Sequence, residues 1–317
     1  MPLAPLIIYA IFYYIDKTPY KPMQTISELE NELEELPLLP TVIVRLLALD
    51  AKHENYFDKV LELSQEDPTF ALRVMQLSNS AVSSPSSPIT TLQDAVVRLG
   101  VNSVASLVTS MSAIRVFVPK KQGEKNLWVH SIQVAVCSRI IARIATELKV
   151  NPEQAYICGL MHDIGRFVLF DKASDELNLV QESNWESPEQ LIITEKELYG
   201  FNHSELGSRV CKKWGLPQII IDIVTNHHTY SLPDTPAKNE KIANLIRIIQ
   251  IADFFSAFMM INPDAITWKP EKLEKELDTK CIRASTSKPL ITAKQLCGQA
   301  ANIIDESNKL TSGLGVD

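Results

Sequence analysis

From Ser27 onward the apolar positions recur at spacings of three and four, and no segment shows the strict alternation of a half-buried strand, so the chain predicts helices without a sheet. Leu39, Val42, Ile43, Leu46 and Leu47 give one helix a buried face, and Val101, Val104, Val108 and Met111 give another. Helix starts are marked chemically. Ser27 with Glu30 forms a capping box, while Asp67-Pro68 and Asn151-Pro152 each place a cap before a proline at the first helical position. Gly100 follows the stripe Leu92, Ala95, Val96 and Leu99, where it is expected to stop a helix in a left-handed conformation. Residues 80–88 and 231–238 read as loops, and the polar, glycine-containing stretch 119–125 reads as a domain boundary. No internal repeat of fixed period is found. The expected organisation is all-α: an extension over 1–22, a helical bundle over 23–122, a second helical domain over 123–307 and a frayed tail over 308–317.

Composition narrows the function classes. The 317 residues are 45% hydrophobic and 22% charged, a globular balance able to bury a core without disulfides or metals as staples. With 31 Lys+Arg against 38 Asp+Glu the net charge is −7, which argues against a phosphate-neutralising nucleic-acid binder; Lys120-Lys121 and Lys212-Lys213 are the basic pairs that stand out. Five cysteines, Cys137, Cys158, Cys211, Cys281 and Cys297, form no C-x-x-C pair and suit a reducing cytoplasm. Residues 1–15 are uncharged and mostly apolar but short for a membrane span. Met23 is read as the physiological start and residues 1–22 as dispensable; the rival is a weak membrane-facing anchor.

The histidines carry the chemistry. Five of the six, His130, His162, His203, His227 and His228, fall in the second domain. His130 shares a face with Val134, Cys137, Ile141, Ile144 and Leu148; His162 follows Ala155 and Cys158; His203 leads into Leu206, Val210 and Trp214; His227 follows Ile220 and Val224, with His228 on its shoulder. All should point inward. Asp253 interrupts the otherwise apolar stripe Ile242, Ile246, Ile249, Ala257 and Met260, and a carboxylate buried there needs a cation or a proton. A single inward histidine is ordinarily a satisfied core residue. Five with Asp163 and Asp253 suggest a site for one or two divalent ions, with Fe, Mn, Zn or Mg compatible. His53, between Lys52 and Glu54, reads as a solvated helix end, and Trp128, Trp185, Trp214 and Trp268 as packing residues.

The run Gly159-Leu160-Met161-His162-Asp163-Ile164-Gly165, with His130 before it and Asp253 after it, resembles the H…HD…D signature of the HD superfamily of metal-dependent phosphohydrolases. Leu36-Pro37-Leu38-Leu39-Pro40, Glu66-Asp67-Pro68, Leu77-Ser78-Asn79-Ser80, Ala95-Val96-Val97-Arg98-Leu99-Gly100 and Trp214-Gly215-Leu216-Pro217 with His227-His228 are similar, in content and order, to HDOD domains over about residues 36–230. The resemblance implies a helical bundle packed on an HD-like helical domain, as in bacterial signalling and regulatory proteins, many of which lack catalytic residues. This sequence keeps a nearly full ligand set. It is also similar to HD-GYP phosphodiesterases in the order of its His and Asp residues, with Arg166 where those enzymes carry a phosphate-contacting lysine; it departs from them at Asn126, where they often have a metal-binding Glu, and at Thr229-Tyr230-Ser231-Leu232-Pro233, where the GYP segment is missing. Two functions follow. The favoured one is a regulatory module that docks a signalling protein, its metal site structural or vestigial. The alternative is a metal-dependent phosphohydrolase acting on a phosphate-containing small molecule, with Asp163 and Arg166 in catalytic roles.

Overall fold

The computed structural model describes residues 41–47, 49, 54–79, 89–172, 188–230, 240–285 and 290–316. The expected capping box at Ser27, the extension 1–22 and His53 lie outside the described residues. Among the described residues every regular element is helical. From Leu36 to Asp317 the chain packs as one compact unit.

Helices α1 (Thr41–Leu47), α2 (Tyr56–Gln65), α3 (Pro68–Ser78), α4 (Leu92–Leu99) and α5 (Val101–Ile114) come first. Their apolar stripes meet as the spacing requires: Ile43, Val60, Val74, Val96, Val104 and Val108 are all buried. Thr91 caps α4 by accepting from the Asp94 amide. Gly100 then turns the chain through 104° between α4 and α5. Its φ of 85° is positive as expected, but ψ of 133° takes it out of the left-handed helical well into an extended conformation that glycine alone adopts easily.

Helix α6 (Gln122–Ile144) is the axis of the remainder. It packs against α7 (Pro152–Met161), α12 (Glu240–Ile261) and α14 (Ala293–Leu314), so that nearly all sides of its middle turns are buried. Helix α5 in turn contacts α7 and α14, from the far side of residues 119–125. Four further helices, α8 (Ile164–Lys172), α9 (Pro188–Tyr199), α10 (His203–Lys213) and α11 (Gln218–Asn226), complete the ligand-bearing region, and α13 (Pro270–Leu277) leads through a π-helical turn at Asp278–Ile282 towards α14. Helices α6 and α12 have the length and hydropathy of membrane spans, yet 83% and 72% of their apolar windows are buried inside the protein, where they act as core helices.

The C-terminal segment corrects one expectation. Residues 308–316 are not a frayed tail but the last turns of α14 and its left-handed Gly315 cap. Ile303, Ser307, Leu310 and Thr311 continue the helix's buried stripe, Val316 is 1% exposed, and Arg73 of α3 donates to the Gly313 carbonyl. The glycines and polar residues hid a three-and-four pattern that another helix completes.

Candidate metal centre

Five helices aim polar side chains at one point, and most of those residues sit at helix ends. His162 caps the C-terminus of α7, Asp163 lies between α7 and α8, His203 opens α10, and His227 caps the C-terminus of α11 with His228 next. Imidazoles at helix C-termini and a carboxylate before a helix N-terminus both suit the helix dipoles. Asn202 secures His203 by accepting from the Glu205 amide in a reciprocal capping box. His130 and Asp253 project from the middles of α6 and α12.

The seven expected residues are brought together. Asp163 Oδ1 lies 3.1 Å from His203 Nε2 and 3.6 Å from the Nε2 atoms of His162 and His227, while its Oδ2 lies 3.7 Å from His130 Nε2. His130 Nε2 is 3.3 Å from Asp253 Oδ1, and His203 Nε2 is 3.2 and 3.1 Å from the Nε2 atoms of His227 and His228. Two ligand atoms bonded at about 2.1 Å to one tetrahedral ion stand about 3.4 Å apart, so this spacing is that of a ligand shell. The atoms form two overlapping groups, Asp163 with His203, His227 and His228, and Asp163 with His130 and His162, each able to converge on one ion.

The outer ring nitrogens fix which atoms face inward. His162 Nδ1 meets the Gly159 carbonyl at 2.7 Å, His227 Nδ1 the Val224 carbonyl at 2.9 Å, and His203 Nδ1 the Glu195 carboxylate at 2.6 Å, all acceptors that demand a proton on Nδ1. His130 Nδ1 meets Ser256 Oγ at 3.0 Å, and that hydroxyl donates onward to Gln133 Oε1. His228 Nδ1 lies 2.9 Å from the Tyr230 hydroxyl. Neutral rings held this way point bare Nε2 lone pairs at one another, which is repulsive without a cation between them. His162 Nε2 and Asp253 Oδ2 are buried with no hydrogen-bond partner among the described residues. The donor set therefore fits a divalent ion.

The electrostatics of the metal-free site agree. Burial opposes ionisation of Asp163, but His162, His203 and Arg166 hold it well below the usual carboxylate range. Asp253 is lowered too, its burial outweighed by the hydrogen bond from His130. Burial pushes His162 down to about 4 and His228 well below an ordinary imidazole. Burial would lower His203 likewise, yet Glu195 and Asp163 raise it to about 9. Arg166 is 6% exposed and donates from Nη1 to Asp163 Oδ2 at 3.1 Å, so it meets the centre through that carboxylate.

Sequence reasoning missed Glu195, Ser256, Gln133 and Tyr230. A signal existed for two of them. Glu195 is one turn from buried Leu191 on α9, and Ser256 is three residues from Asp253 on α12, each an inward polar position on an apolar face.

The HDOD domain profile matches residues 36–230. Over 233 residues the chain is 22% identical to an uncharacterised protein of Treponema pallidum, a match covering 74% of this chain and 44% of that one. It is 31% identical over 133 residues to ribonuclease Y of Mesoplasma florum, covering 42% of this chain and 19% of that enzyme. The chain thus spans less than half the length of these curated relatives. Among solved structures, an HDOD domain protein of unknown function from Geobacter sulfurreducens superposes with a TM-score of 0.65 at 24% identity, covering 90% of this chain and 96% of that one.

Proposed function

We infer that this chain, which belongs to the HDOD domain family, binds one or two divalent ions at its His/Asp centre and hydrolyses phosphoesters there. The observation that carries the reading is the common orientation of the imidazoles, at least four of which are held by Nδ1 so that Nε2 faces the shared centre. Outer hydrogen bonds of that kind fix the tautomer and orientation of imidazoles that hold a metal. Asp163 belongs to both groups, its Oδ1 near His203, His227 and His162 and its Oδ2 near His130, and would serve both ions; His203, His227 and His228 would hold one with it, and His130, His162 and Asp253 the other. Ions held there would supply Lewis-acid chemistry that activates water for attack on phosphorus. Arg166 joins His162 and His203 in keeping Asp163 ionised and adds positive charge beside it, where phosphate charge would be stabilised. The donor set suits Fe, Mn or Zn, with Mg better matched to the carboxylates than to the imidazoles.

The regulatory reading has its own support, because the family match spans the N-terminal helices as well as the ligands up to His228. In that reading the helical unit docks a signalling partner and the metal site is structural or vestigial. Four of the five free thiols are buried, which supports a reducing, cytoplasmic setting for either. Elemental analysis of protein purified without added metal comes first, followed by assay of generic phosphoesters, cyclic dinucleotides and short RNA with Mn or Fe supplied. Turnover in wild type that Asp163→Ala abolishes is the expected result. Bound metal without turnover on any substrate would favour the regulatory module, and no bound metal would overturn the hydrolase reading and leave a regulatory module with a vestigial site.

A further inference from the structure

One carboxylate stands behind the centre, and the hydrolase reading does not use it. Glu195 on α9 is 0% exposed; its Oε2 accepts from the His203 backbone amide at 2.9 Å and from His203 Nδ1 at 2.6 Å, and its Oε1 has no hydrogen-bond partner among the described residues. The other four rings have hydrogen-bond partners without charge at Nδ1, the carbonyls of Gly159 and Val224, the Ser256 hydroxyl and the Tyr230 hydroxyl; Asp253 Oδ2 stands 4.0 Å from His228 Nδ1, beyond hydrogen-bond distance. The two groups of ligands are therefore unequal. A carboxylate behind an imidazole fixes its tautomer and increases its donor strength towards a metal, and at full burial little solvent screens that effect.

From this asymmetry we propose that Glu195 is a positioning residue that makes the His203, His227, His228 and Asp163 position the tighter of two unequal metal positions, leaving the His130, His162 and Asp253 side to exchange its ion more readily. The assignment rests on the metal-centre reading above. A simpler role has to be separated from it, because the bond to the His203 amide also ties α9 to the first turn of α10. Glu195→Gln makes that separation. The amide oxygen of Gln can still accept both hydrogen bonds, so the helix connection is kept while the charge is lost.

The test uses the full chain stripped of metal by chelation and titrated with Co2+, following the visible absorption of the bound ion and competition with a chromophoric chelator. In Glu195→Gln the first, tighter equivalent should weaken by about 10- to 100-fold, the usual loss on removing such a partner. Any weaker equivalent should be unaffected, and Ser256→Ala, behind His130, should weaken that one instead. An unchanged first equivalent in folded Glu195→Gln, or equal weakening of both equivalents, would overturn the proposal; the second pattern is what a purely structural role gives. If Glu195→Gln does not fold, Glu195→Asp keeps the charge but withdraws it from His203, and an unchanged first equivalent there overturns the assignment equally. No cobalt uptake by wild type would remove the metal centre itself, a failure visible before any variant is compared.

Discussion

Where α8 crosses α10, Gly165 lies against the backbone of His203, and Gly165→Ala should damage fold and site together. A Cβ built on Gly165 falls 1.9 Å from the His203 carbonyl oxygen and 2.8 Å from the Gly207 amide nitrogen, against 3.4 Å or more for ordinary contact. Both obstacles are backbone, so no side-chain rotation relieves them and the helices must part by about 1 Å or more. Asp163 is two residues before Gly165, and the residue pushed away is the one whose Nε2 lies 3.1 Å from Asp163 Oδ1. The better helix propensity of alanine returns at most about 1 kcal/mol, while overpacking of this kind costs about 1–3 kcal/mol or more. A contact this close puts the cost at the upper end, and a net loss of about 2 kcal/mol corresponds to a fall of several degrees in Tm at roughly 2–4 °C per kcal/mol. Metal content should fall with it, since separated ligands no longer share one ion. Thermal unfolding with and without chelator, together with metal analysis of the folded variant, measures both effects. Gly298→Ala, whose Cβ meets nothing within 4 Å on an exposed face of α14, is the control and should be neutral or stabilising. A Gly165→Ala protein with wild-type Tm and full metal content would refute the close-approach argument.

Gly165 also shows where sequence reading reaches its limit. The helices and their inward faces were legible because three-and-four periodicity is local: Ile43, Leu46, Val104 and Val108 are buried as their spacing demands. The site was legible for the same reason, since His130, His162, His203, His227 and Asp253 each continue an apolar stripe, and a buried polar group on such a stripe needs a partner. What could not be read was pairwise and distant. Nothing in the local pattern says that Gly165 must be bare because His203 crosses it, that Ser256 stands behind His130, or that Arg139 of α6 ties Ser106 of α5 to Glu306 of α14. The same limit explains the C-terminus. Leu310 and Val316 look dispensable in a polar tail until the surface that buries them is known.

Arg139, 1% exposed, packs its guanidinium over the Tyr156 ring and bonds Ser106 and Glu306, with Glu153 at 3.6 Å, so Arg139→Ala should cost about 3 kcal/mol by opening a cavity and leaving the part-buried Glu306 carboxylate unpaired. Arg139→Met, which keeps most of the volume, should lose less by urea denaturation, and equal losses would show that charge rather than packing dominates. The pH dependence of the metal-free protein follows from opposite shifts within one cluster. His203 is raised to about 9, so its contribution to stability is complete below about 6.5 and is lost as pH rises through 9. His162 is lowered to about 4, so between about 6.5 and 4 the unfolded chain takes up a proton that the native ring refuses, and stability falls as pH drops through that window. Asp163 and Asp253, both depressed, extend the acid limb below the ordinary carboxylate range. Chelator-treated protein should therefore melt highest near pH 6.5 and lower on either side. Metal should flatten the alkaline limb, because with an ion in place of its proton His203 titrates only in the unfolded chain, below about 6.5. An alkaline limb equally steep with and without bound metal would mean that His203 is not where the ion and the proton compete.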